Sequence, residues 1–546
     1  MQMASEAAAQ GKHVHSRALD AVIIGAGFSG LYQLHLLRDR LGLSVRVLEA
    51  ADGVGGTWYW NRYPGARCDS ESYYYSYSFS KELEQEWEWT ERYPEQPEIL
   101  RYLNHVADRF DLRPDIQLGT TVSGARFDDD SQRWIVTTAD GEQFSAQFLI
   151  TAVGCLSTAN MPAIPGIDSF AGQTFHTGLW PHEGVDFSGK RVGLIGTGST
   201  GIQAAPVIAE RARQLVVFQR TANYSVPARN TPMDEQTRRQ IKATYDEIRR
   251  MSRQSTNGHP WAIAAESALD VSEAERLARY ESAWETGGLR FRAAFRDILS
   301  DPAANETAAE FIRAKIRQIV TDEAVAERLT PRDHPFAAKR PPIDTAYFET
   351  FNRENVLLVD VRAAPIRAIV PHGVQTSDAE YALDVLVFAT GFDAMTGPLL
   401  ALNITGEGGR SLREAWAAGP RTYLGLQIPG FPNLFTITGP GSPSVLTNMP
   451  TAIEQHADWI AGCIATLREG GLGRIEPTEA ASEAWADEVY RAAQATLLPM
   501  ASSSWYLGAN VPGKPRVFMP YAGGMAHYAT LCDEVAKDGY RGFTLR

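Results

Sequence analysis

Short runs of apolar residues that end in glycine recur along the chain and predict buried strands. Clear examples occupy positions 21–24, 192–195 and 385–388. Brief apolar runs bounded by turn residues are typical of strands covered on both faces. Between such runs apolar residues recur every three or four positions, as in 97–110, which predicts amphipathic helices. Strands that alternate with helices predict an α/β fold built on parallel sheets.

Two of the predicted strands lead into glycine-rich turns. The turns occupy residues 25–30 and 196–201, share the spacing GxGxxG, and are each followed by the start of a helix. Such turns let backbone N–H groups approach a pyrophosphate, with the positive end of a helix behind them. We therefore predict two Rossmann-like dinucleotide-binding domains in one chain. This pairing indicates an electron relay in which one cofactor passes a hydride to the other.

The residue at the end of the strand after each turn differs in charge between the two halves. Glu49 lies about 20 residues beyond the first turn, where a dinucleotide fold places an acid on the ribose hydroxyls. Arg220 and Thr221 occupy the matching place in the second half. A carboxylate repels a 2′-phosphate, whereas an arginine binds one. The first half should therefore hold FAD or NAD, and the second NADP.

Changes in composition predict the domain organisation. Residues 231–330 are rich in Arg, Glu and Ala with helical periodicity, and we interpret them as a helical insertion whose charges form solvated faces. The first dinucleotide-binding domain should comprise 20–155 and 389–546, and the second 156–230 and 331–388. Residues 1–19 are small and polar and predict a disordered N-terminal lead.

Glycines and aromatic residues interleave in a loop at 53–69 that fits neither helical nor strand periodicity. Such a loop can lie against a flat ring system, and it can equally pack its aromatic side chains into the core. The tyrosines of 73–77 alternate in a way that predicts a strand. Asp140 and Gly141 predict a hairpin turn.

Composition and charge exclude several classes of protein. The 546 residues exceed what one core can hold, and the apolar fraction of 44% is ordinary for a globular enzyme. A net charge of −13 argues against general nucleic-acid binding. No apolar run is long enough to span a bilayer, and the first residues lack a signal peptide's apolar core. The four cysteines are scattered without ligand spacing, which predicts free thiols in a reducing cytoplasm and no metal site.

The segment between the two turns carries a fingerprint that resembles the Baeyer–Villiger monooxygenases. It reads Phe170-x-Gly172-x-x-x-His176-x-x-x-Trp180-Pro181. Blocks at 58–69, 389–397 and 504–510 resemble the same family, and the resemblance runs from about residue 20 to the C-terminus. It implies FAD in the first domain, NADPH in the second, and O₂ as co-substrate. It further implies that ketones become esters or lactones through a C4a-peroxyflavin, with NADP⁺ retained during catalysis.

The resemblance also implies site residues. FAD would be held by Gly25, Gly27, Gly30, Glu49, Thr57, Trp58, Asp69, Tyr75 and Met449. NADPH would be held by Thr197, Gly198, Ser199, Gly201, Gln203, Arg220, Thr221, Lys339 and Trp505. The wider cofactor-binding set adds Phe28, Ser29, Gly56, Tyr59, Trp60, Arg67, Val122, Thr200, Ile202 and Arg340.

Arg340 and Asp69 would be the catalytic residues, with Arg340 supplying a fixed cation and Asp69 holding its guanidinium. Ser444, Val445 and Leu446 would line a mostly apolar substrate pocket. We expect His176 to have a conformational role and Trp180 to pack the segment between the domains.

Two other functions stay open from the residues alone. One is a flavin monooxygenase that oxidises the nitrogen or sulfur of soft nucleophiles, and the other is an NADPH–flavin reductase that does not oxygenate. Arg340 and Asp69 beside the fingerprint favour ketone oxygenation over both. We expect a hydrophobic ketone substrate, no nucleic-acid or membrane partner, and a monomer.

Overall fold

The computed structural model describes residues 18–546 and has a mixed α/β fold. Its strands, in chain order, are β1 Ala18–Ile24, β2 Val45–Leu48, β3 Ile116–Gln117, β4 Val122–Asp128, β5 Arg133–Thr138, β6 Gln143–Thr151, β7 Gln173–His176, β8 Arg191–Ile195, β9 Gln214–Gln219, β10 Val226–Pro227, β11 Ile343–Asp344, β12 Val356–Asp360, β13 Ile366–Val370, β14 Gly373–Thr376, β15 Glu380–Ala382, β16 Val385–Phe388, β17 Ile404–Thr405, β18 Leu434–Thr436, β19 Ile475–Pro477 and β20 Phe543–Leu545.

The α-helices alternate with these strands in the first half and dominate the middle and the C-terminal third. They are α1 Phe28–Leu34, α2 Thr57–Trp60, α3 Lys81–Glu86, α4 Gln96–Arg109, α5 Ser199–Arg211, α6 Glu235–Gln254, α7 Glu273–Thr286, α8 Pro302–Ile319, α9 Glu323–Leu329, α10 Tyr347–Thr350, α11 Gly397–Ala401, α12 Leu412–Ala415, α13 Met449–Glu469, α14 Glu479–Gln494 and α15 Met525–Lys537. Short 3₁₀ turns and one π-helical turn, His35–Arg40 after α1, complete the list.

The first sheet has the strand order β17-β4-β5-β6-β1-β2-β3, with β18 also paired to β6. β1 is parallel to both β2 and β6, so the turn after β1 opens at the carboxyl edge of the sheet. Ligands of open α/β sheets bind at this edge. Helices α1 and α13 pack together against one face of the sheet. Apart from Ala18 and Leu19 of β1, the residues of these eight strands lie within 20–155 and 389–546.

The second sheet is entirely parallel, with the order β12-β9-β8-β16-β7. Its three central strands, β8, β9 and β16, are buried on both faces, as their uninterrupted apolar runs predict. A separate three-stranded antiparallel sheet, β13-β14-β15, covers one side. The predicted fold class, two Rossmann-type halves of α/β structure, is confirmed.

Three local predictions need correction. Residues 18 and 19 are not part of a disordered lead, because Ala18 and Leu19 pair with Ser145 and Ala146 of β6; the rest of that lead, 1–17, lies outside the described residues. Positions 73–77 form turns rather than a strand, because their side chains pack against the aromatic core instead of a partner strand. The loop at 53–69 contains one helical turn, α2.

The helical insertion carries α6 to α9, but its charges are not all solvated as the sequence predicted. Arg249 of α6 is buried and its Nε donates to Glu84 Oε1 at 2.7 Å. The same guanidinium donates to the Tyr77 carbonyl at 2.9 Å. A buried arginine requires such partners because an unpaired charge is costly away from water. The insertion is therefore fastened to the first domain by charge as well as by apolar contact. In the part of the chain that is described, no helix has the length and apolarity that crossing a membrane requires.

Candidate active site

The first glycine turn lies in contact with the loop that follows β2. A Cβ on Gly56 would lie 2.9 Å from the Cα of Gly27, and Gly56 has a φ of +53°. A Cβ on Gly30 would lie 1.8 Å from the carbonyl oxygen of Gly25. Glycine is therefore required where the two backbones meet, and the turn keeps the open N–H groups that a pyrophosphate binds.

Glu49 is held against this turn by two backbone donors. The N–H of Ala26 donates to Oε2 at 2.6 Å, and the N–H of Ala51 donates to Oε1 at 2.9 Å. Burial raises the pKa of the Glu49 carboxyl, and these backbone donors oppose that effect. The carboxylate retains free lone pairs for ribose hydroxyls, so the turn and the acid fit the adenosine half of FAD.

The second glycine turn repeats this geometry at the end of β8. A Cβ on Gly201 would lie 2.1 Å from the carbonyl oxygen of Gly196. Gly198 caps α5, and Ser199 and Thr200 form its first turn. Thr197 Oγ1 donates to the carbonyl of Thr221 at 2.9 Å, which ties the turn to the end of β9. The predicted nucleotide-binding residues 197–202 and 220–221 therefore lie at one sheet edge.

A cluster of cations faces that edge. Arg220 is exposed and Lys339 is half-buried. Burial lowers the pKa of Lys339; Asp333 opposes this effect, and the charges of Arg220 and Arg362 add to it. Arg362 Nη2 donates to Thr221 Oγ1 at 3.0 Å. Three cations that repel one another next to a dinucleotide turn fit a 2′-phosphate, which would neutralise them.

Arg340 and Asp69, predicted as a catalytic pair, meet in a bidentate ion pair. Arg340 Nε donates to Asp69 Oδ2 at 2.5 Å, and Nη2 donates to Oδ1 at 2.8 Å. Arg340 Nη1 donates to the carbonyl of Val445 at 2.7 Å. The guanidinium is thus fixed by residues about 270 and 100 positions away in sequence. Arg340 therefore joins three segments: the loop at 53–69, called the flavin loop below, the second domain, and the predicted substrate loop at 444–446.

The charges of this pair stabilise each other. Burial opposes ionisation of Asp69, but Arg340 outweighs it and holds the pKa of that carboxyl below its ordinary value. Burial also opposes the charge of Arg340, and Asp69 more than offsets it, so the pKa of Arg340 is raised. Both shifts favour the charged forms, so both groups are charged at neutral pH. The site therefore contains a permanent, oriented cation.

Comparisons with known proteins identify the family. The family model "Flavin-binding monooxygenase-like" matches residues 18–232. A Baeyer–Villiger monooxygenase of Pseudooceanicola batsensis is 46% identical over 524 residues, 95% of each chain. The chain belongs to the Baeyer–Villiger monooxygenases. The flavin-binding character of the matched family agrees with the FAD that the resemblance implied.

Two further comparisons bear on this Baeyer–Villiger monooxygenase. The solved structure of oxidized steroid monooxygenase bound to NADP is 56% identical and has a TM-score of 0.92, covering 97% of this chain and 99% of that one. A phenazine N-monooxygenase of Lysobacter antibioticus is 45% identical over 529 residues, 96% of this chain and 97% of the relative. The name of this second relative indicates that it oxidises nitrogen rather than a ketone.

Aromatic side chains of the flavin loop form one face of the monooxygenase site. Trp58 Nε1 donates to the hydroxyl of Tyr75 at 3.2 Å, and the ring of Tyr75 meets the edge of Phe28 at 5.4 Å. Tyr59 donates to Asp52, and its ring lies 5.1 Å from that of Trp60. All but Trp60 are buried, so the loop packs aromatic side chains into the core, and its contact with a flat ring system stays a prediction.

The remaining predicted FAD residues are placed less uniformly. Met449 is the first residue of α13, and Ser29 lies in α1. Thr57 is exposed at the start of α2. Val122 is buried in β4 within the apolar core that also contains Ile24. Val122 is thus a core residue, and its contact with FAD stays a prediction.

Gln203 and Arg67 join the two domains of the monooxygenase. Tyr63 donates its hydroxyl hydrogen to Gln203 Oε1 at 2.7 Å, and Gln203 Nε2 donates to the carbonyl of Arg67 at 3.1 Å. The Arg67 guanidinium is paired with Glu91 at 3.0 Å and Glu95 at 2.8 Å. Helix α5, which begins at the second glycine turn, is therefore bonded directly to the flavin loop.

An apolar wall lies beside Arg340. Val445 and Leu446 pack with Cys155, Met395 and Tyr506 in one cluster. Ser444 is fully buried with a φ of +41°, and its Oγ donates to the carbonyl of Thr438 at 3.2 Å. This strained turn directs the Val445 carbonyl at Arg340. The predicted substrate residues are thus next to the cation, and Tyr506 is a wall residue that sequence reasoning missed.

The loop that carries Trp505 is fastened over the junction of the domains. Lys514 pairs with Asp393 and donates to the carbonyl of Ala394 at 2.6 Å. Asn510 Nδ2 donates to the carbonyl of Phe392 at 2.7 Å. Trp505 stacks edge-on against Tyr506 at 4.4 Å. The contact between Trp505 and NADPH stays a prediction. The loop places Trp505 against Tyr506, which belongs to the apolar cluster of Val445.

The fingerprint residues lie in the second domain. His176 ends β7, and its Nδ1 accepts the N–H of Gly178 at 3.0 Å while Nε2 lies 3.4 Å from Thr390 Oγ1. Burial lowers the pKa of His176, so the imidazole is neutral. Trp180 packs on Phe175 at 5.4 Å and lines a cavity of about 720 Å³ with residues of α4. Trp180 is thus a packing residue, as expected from the sequence, and the conformational role of His176 stays a prediction.

Two arginines of the site escaped sequence reasoning. Arg362 lies in a turn after β12 without any motif around it, and only the position of its strand beside β9 brings it to Thr221. Arg292 lies in an arginine-rich stretch that reads as a solvated helix face. The apolar spacing of Leu289, Phe291 and Phe295, all buried, was the available signal that this stretch faces inward.

Proposed function

We propose that this Baeyer–Villiger monooxygenase inserts one oxygen atom next to the carbonyl of a hydrophobic ketone, arylalkyl, steroid-like or cyclic, to give an ester or lactone. The observation that carries the proposal is the bidentate Arg340–Asp69 pair next to an apolar wall. The names of two relatives add support, since one is an acetone monooxygenase and the other a cyclohexanone 1,2-monooxygenase. When bound, FAD that NADPH has reduced supplies the activated oxygen.

Arg340 provides the positive charge that ketone oxygenation needs. When an oxygen nucleophile adds to a carbonyl carbon, negative charge moves onto the carbonyl oxygen. Oriented donors next to that oxygen lower the barrier because they need no reorganisation during the reaction. Arg340 uses three N–H groups on Asp69 and Val445, which leaves two for the reacting oxygen. A lysine would give its proton to a strong base, whereas a guanidinium keeps its own.

Asp69 acts as a positioning residue in this proposal. It grips two of the five guanidinium N–H groups and so fixes the plane of Arg340. The glycine turn at 25–30 with Glu49 would hold FAD, and the turn at 196–201 with Arg220 and Lys339 would hold NADPH. Val445, Leu446 and the cluster around them would bury the ketone's apolar body and keep water from the reacting atoms.

Oxidation of nitrogen is a second candidate, favoured by the similarity to a phenazine N-monooxygenase. An amine nitrogen gives up its lone pair to the activated oxygen and forms no oxyanion on a carbonyl. Arg340 would then have no charge to stabilise on the substrate. The two chemistries therefore differ in how strongly they depend on Arg340.

The test is a pair of substitutions measured in two separate half-reactions. Arg340→Ala should leave flavin reduction by NADPH within a few-fold of wild type, and should lower ester formation from phenylacetone by more than about 100- to 1,000-fold. Arg340→Lys should recover only a small part, since it loses the fork that grips Asp69. Arg353→Ala, an exposed arginine of the same domain, is the matched control.

Ester formation by Arg340→Ala at close to the wild-type rate would overturn the role of Arg340. Oxidation of an aromatic amine or a heterocyclic nitrogen with better kcat/KM than any ketone would support the second candidate. Hydrogen peroxide formed at an unchanged rate whether or not ketone is present would identify a reductase instead.

We further propose that the enzyme works as a monomer in the cytoplasm. All four cysteines are buried and unpaired, and disulfides are uncommon in reducing compartments. The net charge of −13 disfavours nucleic acid as a partner. Sedimentation at two protein concentrations would test the oligomeric state.

A further inference from the structure

Arg292 lies within electrostatic reach of the Arg340–Asp69 pair, and no carboxylate forms an ion pair with it in the described part of the chain. It lies in the 3₁₀ turn Gly288–Ala293, with its guanidinium carbon 5.8 Å from the centre of the Trp261 ring. Its Nε and Nη2 are shielded from solvent and have no hydrogen-bond partner among residues 18–546. Arg290 in the same turn, by contrast, is paired with Glu71 at 3.2 Å.

Asp69 acts on Arg292 only through its charge, because no hydrogen bond joins the two among residues 18–546. Both oxygens of Asp69 accept from Arg340 instead, so two cations share the charge of one carboxylate in this part of the molecule. Burial, and then the charge of Arg340, lower the pKa of Arg292 to about 10, which leaves it charged at neutral pH. A shielded cation without a partner is costly to keep. Its retention indicates that an anion completes the site.

Two stacked rings lie beside the Arg292 guanidinium. His259 is fully buried and stacks on Trp261, with ring centres 5.0 Å apart and planes 7° apart. Burial, together with the charges of Arg292, Arg340 and Arg290, lowers the pKa of His259, so its ring adds no charge. Neither ring nitrogen has a partner in the described part of the chain. His259 can therefore donate or accept one hydrogen bond beside the guanidinium.

The phosphates of the two cofactors are accounted for elsewhere. Each dinucleotide has its own glycine turn, and Arg220, Lys339 and Arg362 face the second. The remaining small molecule is the substrate. The free Nε–Nη2 edge of Arg292 is the same edge that Arg340 presents to Asp69, and this edge matches the two oxygens of a carboxylate.

We propose that Arg292, supported by Trp261 and His259, is an anion subsite for substrate, and that the preferred ketones carry a carboxylate beyond their apolar body. This inference rests on the proposed ketone oxygenation and narrows its substrate class. Arg340 binds the reacting end of the ketone, the cluster around Val445 buries its middle, and Arg292 binds its far end.

The test uses calorimetry to compare the binding of two para-substituted phenylacetones to the holoenzyme in the presence of NADP⁺. The first is phenylacetone that carries a para-carboxylate, and the second is the para-carboxamide of the same size. Wild type should bind the carboxylate about ten- to a hundredfold more tightly, the range expected of a charge-assisted pair. Arg292→Gln should bring this ratio close to one, and Arg292→Lys should keep part of it. Arg296→Gln, an exposed arginine four positions away, should retain the wild-type ratio.

Equal affinity for both probes in wild type would overturn the inference, and so would a preference that survives in Arg292→Gln. Weaker NADP⁺ binding by Arg292→Gln with an unchanged probe ratio would assign the residue to the cofactor instead. Product analysis with wild type and the carboxamide separates the two proposals. If oxygen is inserted into that neutral ketone, the oxygenation proposal stands whatever the affinity ratio.

Discussion

The cation cluster of the second domain predicts how the enzyme distinguishes NADPH from NADH. Replacing Arg220 with Ala should raise the KM for NADPH. A charge-assisted hydrogen bond contributes about 1.5–3 kcal/mol, or roughly ten- to a hundredfold in affinity. We expect the lower end of that range for two reasons. Lys339 and Arg362 remain, and the pKa of Lys339 rises once Arg220 no longer repels its charge, so the ammonium group stays protonated to higher pH.

The same contacts predict a pH dependence. Burial and the neighbouring arginines lower the pKa of Lys339, so its ammonium group loses its proton sooner than an ordinary lysine as the pH rises. The KM for NADPH should therefore increase as the pH passes through that pKa. In Arg220→Ala this increase should shift to higher pH, since one repelling charge has been removed. The KM for NADH should not show it, because NADH has no 2′-phosphate.

The assay is the KM for each cofactor from about pH 7 to about pH 10, below the range where arginine titrates. Arg367→Ala changes an exposed arginine of β13 in the same domain and should leave both KM values unaltered. If Arg220→Ala raises the KM for NADH as much as that for NADPH, the phosphate assignment is wrong. A KM for NADPH that stays flat with pH in wild type would contradict the electrostatic argument for Lys339.

Two other substitutions test the fold around the site. Gly30→Ala places a Cβ 1.8 Å from the Gly25 carbonyl and should yield protein without the flavin absorbance band; Gly462→Ala, with open space around it, should stay yellow. Burial raises the pKa of Asp344 to about 6 from 3.8, so the folded protein binds more protons than the unfolded chain between these values and stability falls as the pH rises through them. Asp344→Asn should remove this pH dependence, which amounts to at most about 3 kcal/mol in the free energy of unfolding measured by urea titration. If the pH dependence is unchanged in Asp344→Asn, another group is responsible for it.

Local sequence predicted the parts of this enzyme that depend on local geometry. The glycine turns at 25–30 and 196–201 need three glycines at fixed spacing, because each third glycine lies against the backbone of the first. The charge contrast between Glu49 and Arg220 follows from the same register. These features are readable because turn, strand and helix are neighbours in the chain.

The parts that failed depend on contacts between distant segments. Tyr75 and Tyr77 pack on Phe28, and no strand among residues 18–546 pairs with the segment 73–77. Arg249, Arg292 and Arg362 look like other surface arginines until the fold brings Glu84, Trp261 or Thr221 to them. Composition cannot distinguish a buried arginine from an exposed one when the partner lies more than about 100 positions away in sequence.

The bond between Arg340 and the Val445 carbonyl has a consequence for building hybrid enzymes. The cation comes from the nucleotide half, whereas its carboxylate and carbonyl partners come from the flavin half. In a recombinant whose residues 156–388 come from a distant relative, the arginine of that relative would have to pair with the Asp69 carboxylate and the Val445 carbonyl of this chain. Such hybrids should still accept electrons from NADPH but release hydrogen peroxide instead of inserting oxygen into the ketone. Exchanging the segments around 69 and 445 together with the arginine should prevent this loss. Crossover points that keep these three segments in one parent are the ones to choose.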